Sequence, residues 1–125
     1  MYRDLIALRR NLGGNTRGLL GNHTNVHHVN DFDKVIAFHR WDQGGPGDDV
    51  IVLCNFANKS WNDYTIGLPS GGNWQVRFNS DWVGYDPTFG NHPSNAVNAA
   101  AVPYDGLGYS ASLSFGPYTT IILSQ

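Results

Sequence analysis

Apolar side chains recur with helical spacing at the start of the chain. Tyr2, Leu5, Ile6, Leu8 and Leu12 fall on one stripe, Arg3, Asp4, Arg9 and Arg10 occupy the remainder, and Gly13-Gly14 follows as a stop. This spacing predicts a helix over residues 2–12. No Ser, Thr, Asp or Asn precedes it as an N-cap, and an isolated helix of this length is marginal in water. The helix therefore reads as one whose beginning lies elsewhere and whose stripe needs a surface to lie on.

Beyond Gly14 the period changes to two. Strands are predicted over 26–30, 34–41, 50–57, 64–68, 74–79, 110–115 and 118–123, rich in β-branched and aromatic residues and separated by Gly, Asn, Asp and Pro. The runs 50–56 and 119–123 are nearly continuously apolar, as expected of strands inside packed sheets. The pattern predicts an all-β, antiparallel β-sandwich of Greek-key type with about seven or eight strands and one N-terminal helix. From Ser80 to about Gly108 little regular structure is expected. Trp82, Tyr85 and Phe89 lie in that stretch, and three large aromatics argue that it packs on something.

Composition narrows the function classes. The chain has 125 residues, 8 Lys and Arg, and 10 acidic residues, for a net charge of −2. Every acidic residue is Asp. The length fits one domain and excludes a complete (β/α)₈ barrel, which needs about 250 residues. The weak charge argues against nucleic acid as a partner, and no apolar run approaches the ~20 residues of a membrane helix. Without a secretion leader at the start, the chain reads as soluble and cytoplasmic. The single cysteine, Cys54, reads as a structural thiol.

Candidate chemistry is sparse. Asp31/Asp33, Asp48/Asp49 and Asp81/Asp86 are paired in sequence, but acid–base work needs one carboxyl of a pair desolvated. Asp48 and Asp49 follow Gly-Gly-Pro-Gly and are expected on an exposed turn, and Asp31/Asp33 in an Asx-type turn. A complete small enzyme using such a pair is the least favoured reading. His23, His27, His28 and His39 are near one another, yet adjacent residues of a strand point to opposite faces, so no metal site and no cofactor are expected. The set Trp82, Tyr85 and Phe89 reads either as a carbohydrate platform, because a pyranose C–H face stacks on flat aromatics, or as an interdomain contact.

The order of motifs resembles the C-terminal end of an α-amylase-family (glycoside hydrolase family 13) enzyme, most closely its α-glucan branching-enzyme-like members. The resemblance lies in Tyr2-Arg-Asp-Leu-Ile-Ala-Leu-Arg-Arg10, Val26-His-His-Val-Asn30, Lys34-Val-Ile-Ala-Phe-His-Arg-Trp41, Val50-Ile-Val-Leu-Cys-Asn-Phe56, Trp74-Gln-Val-Arg-Phe-Asn-Ser-Asp81 and Phe115-Gly-Pro-Tyr118. It implies that residues 1–14 are the last helix of an upstream catalytic barrel, with Tyr2, Leu5, Ile6, Leu8 and Leu12 facing that barrel. Residues 15–125 would be a non-catalytic C-terminal β-sandwich domain. The family's retaining glycosyl transfer uses an Asp nucleophile and a Glu acid/base about 5–5.5 Å apart on barrel loops. None of those barrel motifs is in this chain, so no catalytic residue is carried over. The expected partner is the barrel of the same chain. The alternative reading is a starch- or glycogen-binding module whose ligand is α-glucan.

Overall fold

The period-two pattern becomes eight strands in a computed structural model that describes residues 1–125. They are β1 (His23–Asn30), β2 (Val35–Trp41), β3 (Val50–Asn55), β4 (Trp61–Leu68), β5 (Gly72–Asn79), β6 (Val97–Ala99), β7 (Tyr109–Phe115) and β8 (Thr120–Ser124). One sheet has the order β1-β2-β3-β8-β5-β6 and the other pairs β4 with β7, with every pairing antiparallel. The chain crosses between sheets at β3–β4, β4–β5, β6–β7 and β7–β8. A bridge between Ala100 and Ser110 joins the two sheets at the β6 corner.

The core lies between the sheets and follows from alternation. Ala37 of β2, Ile51 and Leu53 of β3, and Ile121 and Leu123 of β8 face Ile66 and Leu68 of β4 and Leu113 and Phe115 of β7. Trp74 is fully buried among them, and its indole N–H donates to the Ser70 carbonyl at 3.1 Å. The continuous apolar character of β3 and β8 has its reason on the opposite face. Val50, Val52 and Ile122 point outward into a second cluster with Leu19 and Phe78.

The helix and strands depart from the sequence pattern at identifiable places. Helix α1 spans Tyr2–Arg9 and stops short of Leu12. Asn11 takes a left-handed φ of 55° there, and the Leu12 amide reaches back to the Ala7 carbonyl at 3.0 Å. A 3₁₀ turn (Arg17–Leu20), unsignalled by periodicity, follows. Tyr118 lies outside β8 because it adopts φ 50° in the preceding turn. Strand β6 lies within the stretch expected to be irregular, and its three residues are too few to show a period. His27 and His28 do not point to opposite faces. The β1 ladder slips between Val26 and His28, so His27 is the inserted residue, and both rings reach toward Gly67 and Asp105.

The β2–β3 loop corrects a further expectation, because Asp48 and Asp49 are buried rather than exposed. Asp48 accepts the amides of Asp42 (2.8 Å), Gly44 (3.0 Å) and Gln43 (3.2 Å), and the Arg17 Nε–H at 2.8 Å. Burial alone would raise its carboxyl, but these donors outweigh that cost and hold it down at about 2. Asp49 accepts the Gly45 amide (2.9 Å) and lies 2.8 Å from His39 Nε2. The two carboxylates close the loop on itself, and the 3₁₀ turn seals it. The Gly18 amide donates to the Asp48 carbonyl at 2.8 Å, so closely that a Cβ at Gly18 would overlap the backbone oxygens of Asp48 and Arg40.

Two outcomes follow. Gly18→Ala forces the 3₁₀ turn off the loop and is expected to cost about 1–3 kcal/mol, measured by urea denaturation. For Asp48, the folded value lies below the ordinary carboxylate value of 3.8. The stability it contributes is complete above that value and is lost as pH falls toward about 2. That contribution is about 2 kcal/mol. Asp48→Asn should therefore lower stability by about that amount at neutral pH and flatten the acid limb of the profile between pH 4 and 2. An unchanged acid limb in the variant would show that another group carries it.

Candidate functional site

The edge half of the six-stranded sheet contains a break in alternation that shapes its outer surface. Val76 pairs with Leu123 and Phe78 with Ile122, so Arg77 is an inserted residue in β5. Trp74 and Val76 pack on the inter-sheet core, and unbroken alternation would put Phe78 there too. The bulge sends Phe78 to the outer face instead, where it joins Val50, Val52 and Ile122. Bulges of this kind re-aim side chains beside functional surfaces. Arg77 is anchored by its Nε–H to Ser124 Oγ at 2.9 Å and by Nη2 to the Gln125 carbonyl at 3.3 Å.

Over this face lie α1 and the loop after β5. Leu5 and Leu8 of α1 pack on the outer cluster. Further ties come from Thr16 Oγ1, which donates to the Leu8 carbonyl at 2.7 Å, and from the Arg9 guanidinium on the Leu19 carbonyl. The loop contributes Tyr85, whose ring lies 5.7 Å from that of Phe78 and whose hydroxyl donates to Asp4 Oδ2 at 2.5 Å. Burial, then the hydrogen bond to Asp4 and the Asp4 charge, push the Tyr85 hydroxyl up to about 12. Trp82 stands edge-on to Tyr85 at 5.0 Å and is 50% exposed. A side chain at Gly84 would strike the six-membered ring of Trp82, so the glycine backs the indole directly.

The predicted aromatic set is thus divided. Trp82 and Tyr85 come together, Tyr85 turned inward to α1 and Trp82 outward, while Phe89 is half-buried farther along the loop. The helical stripe divides as well. Leu5 and Leu8 face the sheet, whereas Tyr2, Ile6 and Leu12 are 81%, 55% and 65% exposed. Between α1, the bulge and the loop lies an open depression of about 270 Å³ lined by Asp4, Val76, Arg77, Phe78, Asn79, Trp82 and Tyr85. Asp4, Arg77 and Asn79 were not singled out by sequence. Arg77 enters only through the bulge, and Asp4 lies on the side of the helical pattern assigned to solvent.

The remaining titratable clusters serve the fold. Asp105 holds His28 Nδ1 at 2.9 Å from each carboxylate oxygen, and His28 Nε2 is 2.7 Å from the Tyr64 hydroxyl. The row has the order of an acid, a base and a hydroxyl, but Tyr64 is buried between Trp61 and Phe115. Asp105 also accepts the Gly67 amide at 2.8 Å, so the network pins the 104–107 strap to β1 and β4. His39, paired with Asp49, stacks on Trp41 at 4.4 Å, and His23 covers that indole at 5.2 Å. Burial lowers His27, whose Nε2 meets the Gly67 carbonyl.

Four further carboxylates also have partners. Asp81 accepts the amides of Gly90 (3.0 Å) and His92 (2.9 Å), and Asp86 accepts both Thr88 donors, which lower it. Asp33 takes the Asn30 amide group at 2.8 Å and Asp31 takes Lys34 at 3.1 Å. Cys54 is half-buried on the outer face, with Thr120 Oγ1 3.6 Å from its sulfur. No three His, Cys, Asp or Glu side chains are placed to hold a metal ion, and no helix is long and apolar enough to cross a membrane.

Comparison with known proteins gives this architecture its context. The 1,4-alpha-glucan branching enzyme GlgB of Burkholderia cenocepacia (strain HI2424) is 37% identical over 92 residues, which is 74% of this chain and 12% of that enzyme. The GlgB of Aquifex aeolicus (strain VF5) is 34% identical over 98 residues, 76% of this chain and 15% of that enzyme. The chain thus spans only 12–15% of the length of these two curated relatives. The family model for the alpha amylase C-terminal all-beta domain matches residues 25–125, from within β1 to the last residue. A match over most of the chain, on a fold that is all-β with its helix laid on the outer sheet face, shows that the chain belongs to the alpha-amylase C-terminal all-β domain family.

Proposed function

We propose that this chain is the non-catalytic C-terminal β-domain of an α-glucan branching enzyme. In this reading residues 1–14 are the last helix of the catalytic barrel, and residues 15–125 form the sandwich that braces it. The observation that carries it is the two-sidedness of α1. One side is bound into the sandwich by Leu5, Leu8 and the Tyr85–Asp4 hydrogen bond, while Tyr2 and Ile6 stay open on the other, continued by Leu12. A helix so held transmits position: whatever packs on its outer side is fixed relative to the sheet.

The carboxylates support the non-catalytic part. Glycoside transfer needs an acid whose proton is retained toward neutral pH. The two carboxyls displaced from their ordinary value, Asp48 and Asp86, are both displaced downward, and Asp48, Asp49, Asp81 and Asp105 are engaged with backbone amides.

The role of α1 is tested in a chimera carrying this chain in place of the matching segment of the Aquifex aeolicus enzyme. Ile6→Asp should leave the stability of the isolated chain within about 0.5 kcal/mol. In the chimera it should lower the thermal midpoint by several degrees. Equal effects in the two proteins would remove the proposed contact. Incubated alone with amylose, the chain should generate neither new reducing ends nor new branch points, and either product above background would refute a non-catalytic domain.

A further inference from the structure

The depression between α1, the β5 bulge and the loop after β5 combines a held indole with polar groups that have capacity to spare. Trp82 is fixed from behind by Gly84 and at its edge by Tyr85, yet remains 50% exposed. Asp4 gives Oδ2 to Tyr85 and keeps Oδ1 free of protein partners. Arg77 spends Nε and Nη2 on the chain end and keeps Nη1. We propose that this depression is a subsite for a pyranose ring of an α-glucan, with Trp82 as the stacking face and Asp4 and Arg77 as the hydroxyl partners. The sugar chemistry comes from the groove, and its assignment to α-glucan rests on the function proposed above.

The charges select the ligand class. Asp4 and Arg77 line one groove and make no salt bridge with each other. An anion would meet the Asp4 carboxylate and a cation the Arg77 guanidinium, so neither class is favoured. A neutral ring bearing adjacent hydroxyls satisfies both: one hydroxyl donates to Asp4 Oδ1 and a neighbour accepts from Arg77 Nη1. The apolar C–H face of the same ring is left for the indole. At about 270 Å³ the space is smaller than the roughly 300–1,000 Å³ of a small-molecule pocket, and it is open to solvent. That form suits one residue of an extended chain better than an enclosed metabolite.

The arrangement also explains why β5 bulges where it does. With an unbroken ladder Phe78 would point inward and the outer face would lose the floor of the groove. Tyr85, whose hydroxyl is already engaged, acts as a positioning residue that holds Asp4 and Trp82 at their mutual spacing.

The test is a titration of the ¹⁵N-labelled 125-residue chain with maltoheptaose, followed at the Trp82 indole N–H and the amides of Asn79 and Gly84. Saturable shifts at those groups at millimolar sugar are expected. Trp82→Ala, read at the amides of Asn79 and Gly84, should weaken binding about tenfold or more, with the rest of the spectrum unchanged. Asp4→Asn, which keeps the side chain's shape, should weaken it several-fold. No saturable shift at Trp82 up to about 10 mM sugar, the range of the weakest specific binding, would overturn the subsite. So would an affinity unaltered by either substitution. Neither result touches the role of α1, which the Ile6→Asp chimera reads separately. Equal binding of cellohexaose would overturn the α-glucan assignment.

Discussion

The outer face of the six-stranded sheet carries Val50, Val52, Phe78 and Ile122, and a two-layer sandwich provides nothing to cover them. Helix α1, the 3₁₀ turn and Tyr85 lie over those side chains and exclude water from them. Each apolar side chain fully buried this way contributes about 1.5–3 kcal/mol. Much else follows from that cover. The strands β3 and β8 can be apolar on both faces only because one face meets the second sheet and the other meets α1. The 3₁₀ turn must press on the β2–β3 loop to bring Leu19 into place, which is why the loop is closed around Asp48 and why position 18 has no room for a side chain. The loop after β5 must return toward α1, which is why it carries Tyr85.

The sandwich was legible in the sequence because burial on one or two faces imposes a period, and seven of the eight strands are long enough to display it. What escaped detection is non-periodic. Strand β6 has three residues. The bulges at His27 and Arg77 each insert one residue, and a single insertion reverses the facing of everything beyond it. For this reason alternation alone gives Arg77 no special place and points Phe78 to the wrong face. The aromatic loop was legible as a packed loop, because three large rings in an irregular stretch need a surface. Which ring faced inward was not, since that depends on Asp4, some eighty residues earlier in the chain.

The absence of Glu also has a structural reading. Asp48, Asp49, Asp81 and Asp86 accept backbone amides from their own loops, and Asp105 ties its strap to the Gly67 amide of β4. A carboxylate on a single methylene reaches nearby amides with little freedom to lose, whereas the longer Glu side chain overshoots and pays more entropy. In a chain with long connections, carboxylates are therefore most useful as loop closures. In Asp48 and Asp86 the same donors stabilise the ionised form and lower the carboxyl. Composition and loop structure are in this sense one fact.

Asp4 links the two proposed roles physically. It lies on the helix that the proposal gives to the catalytic unit, it accepts the Tyr85 hydroxyl from the sandwich, and it lines the groove together with Arg77. A ligand that bonds to Asp4 and to Arg77 bridges α1 and β5, so it binds only the docked arrangement of the helix. By mass action it then stabilises that arrangement in proportion to the logarithm of its occupancy ratio. Dense polymer presents many rings to one such site, so weak affinity for a single ring is compatible with substantial occupancy on a glucan particle. The proposed brace and the proposed subsite are therefore compatible: a ligand held in a groove built across the junction between helix and sheet would couple its own binding to the docking of the helix.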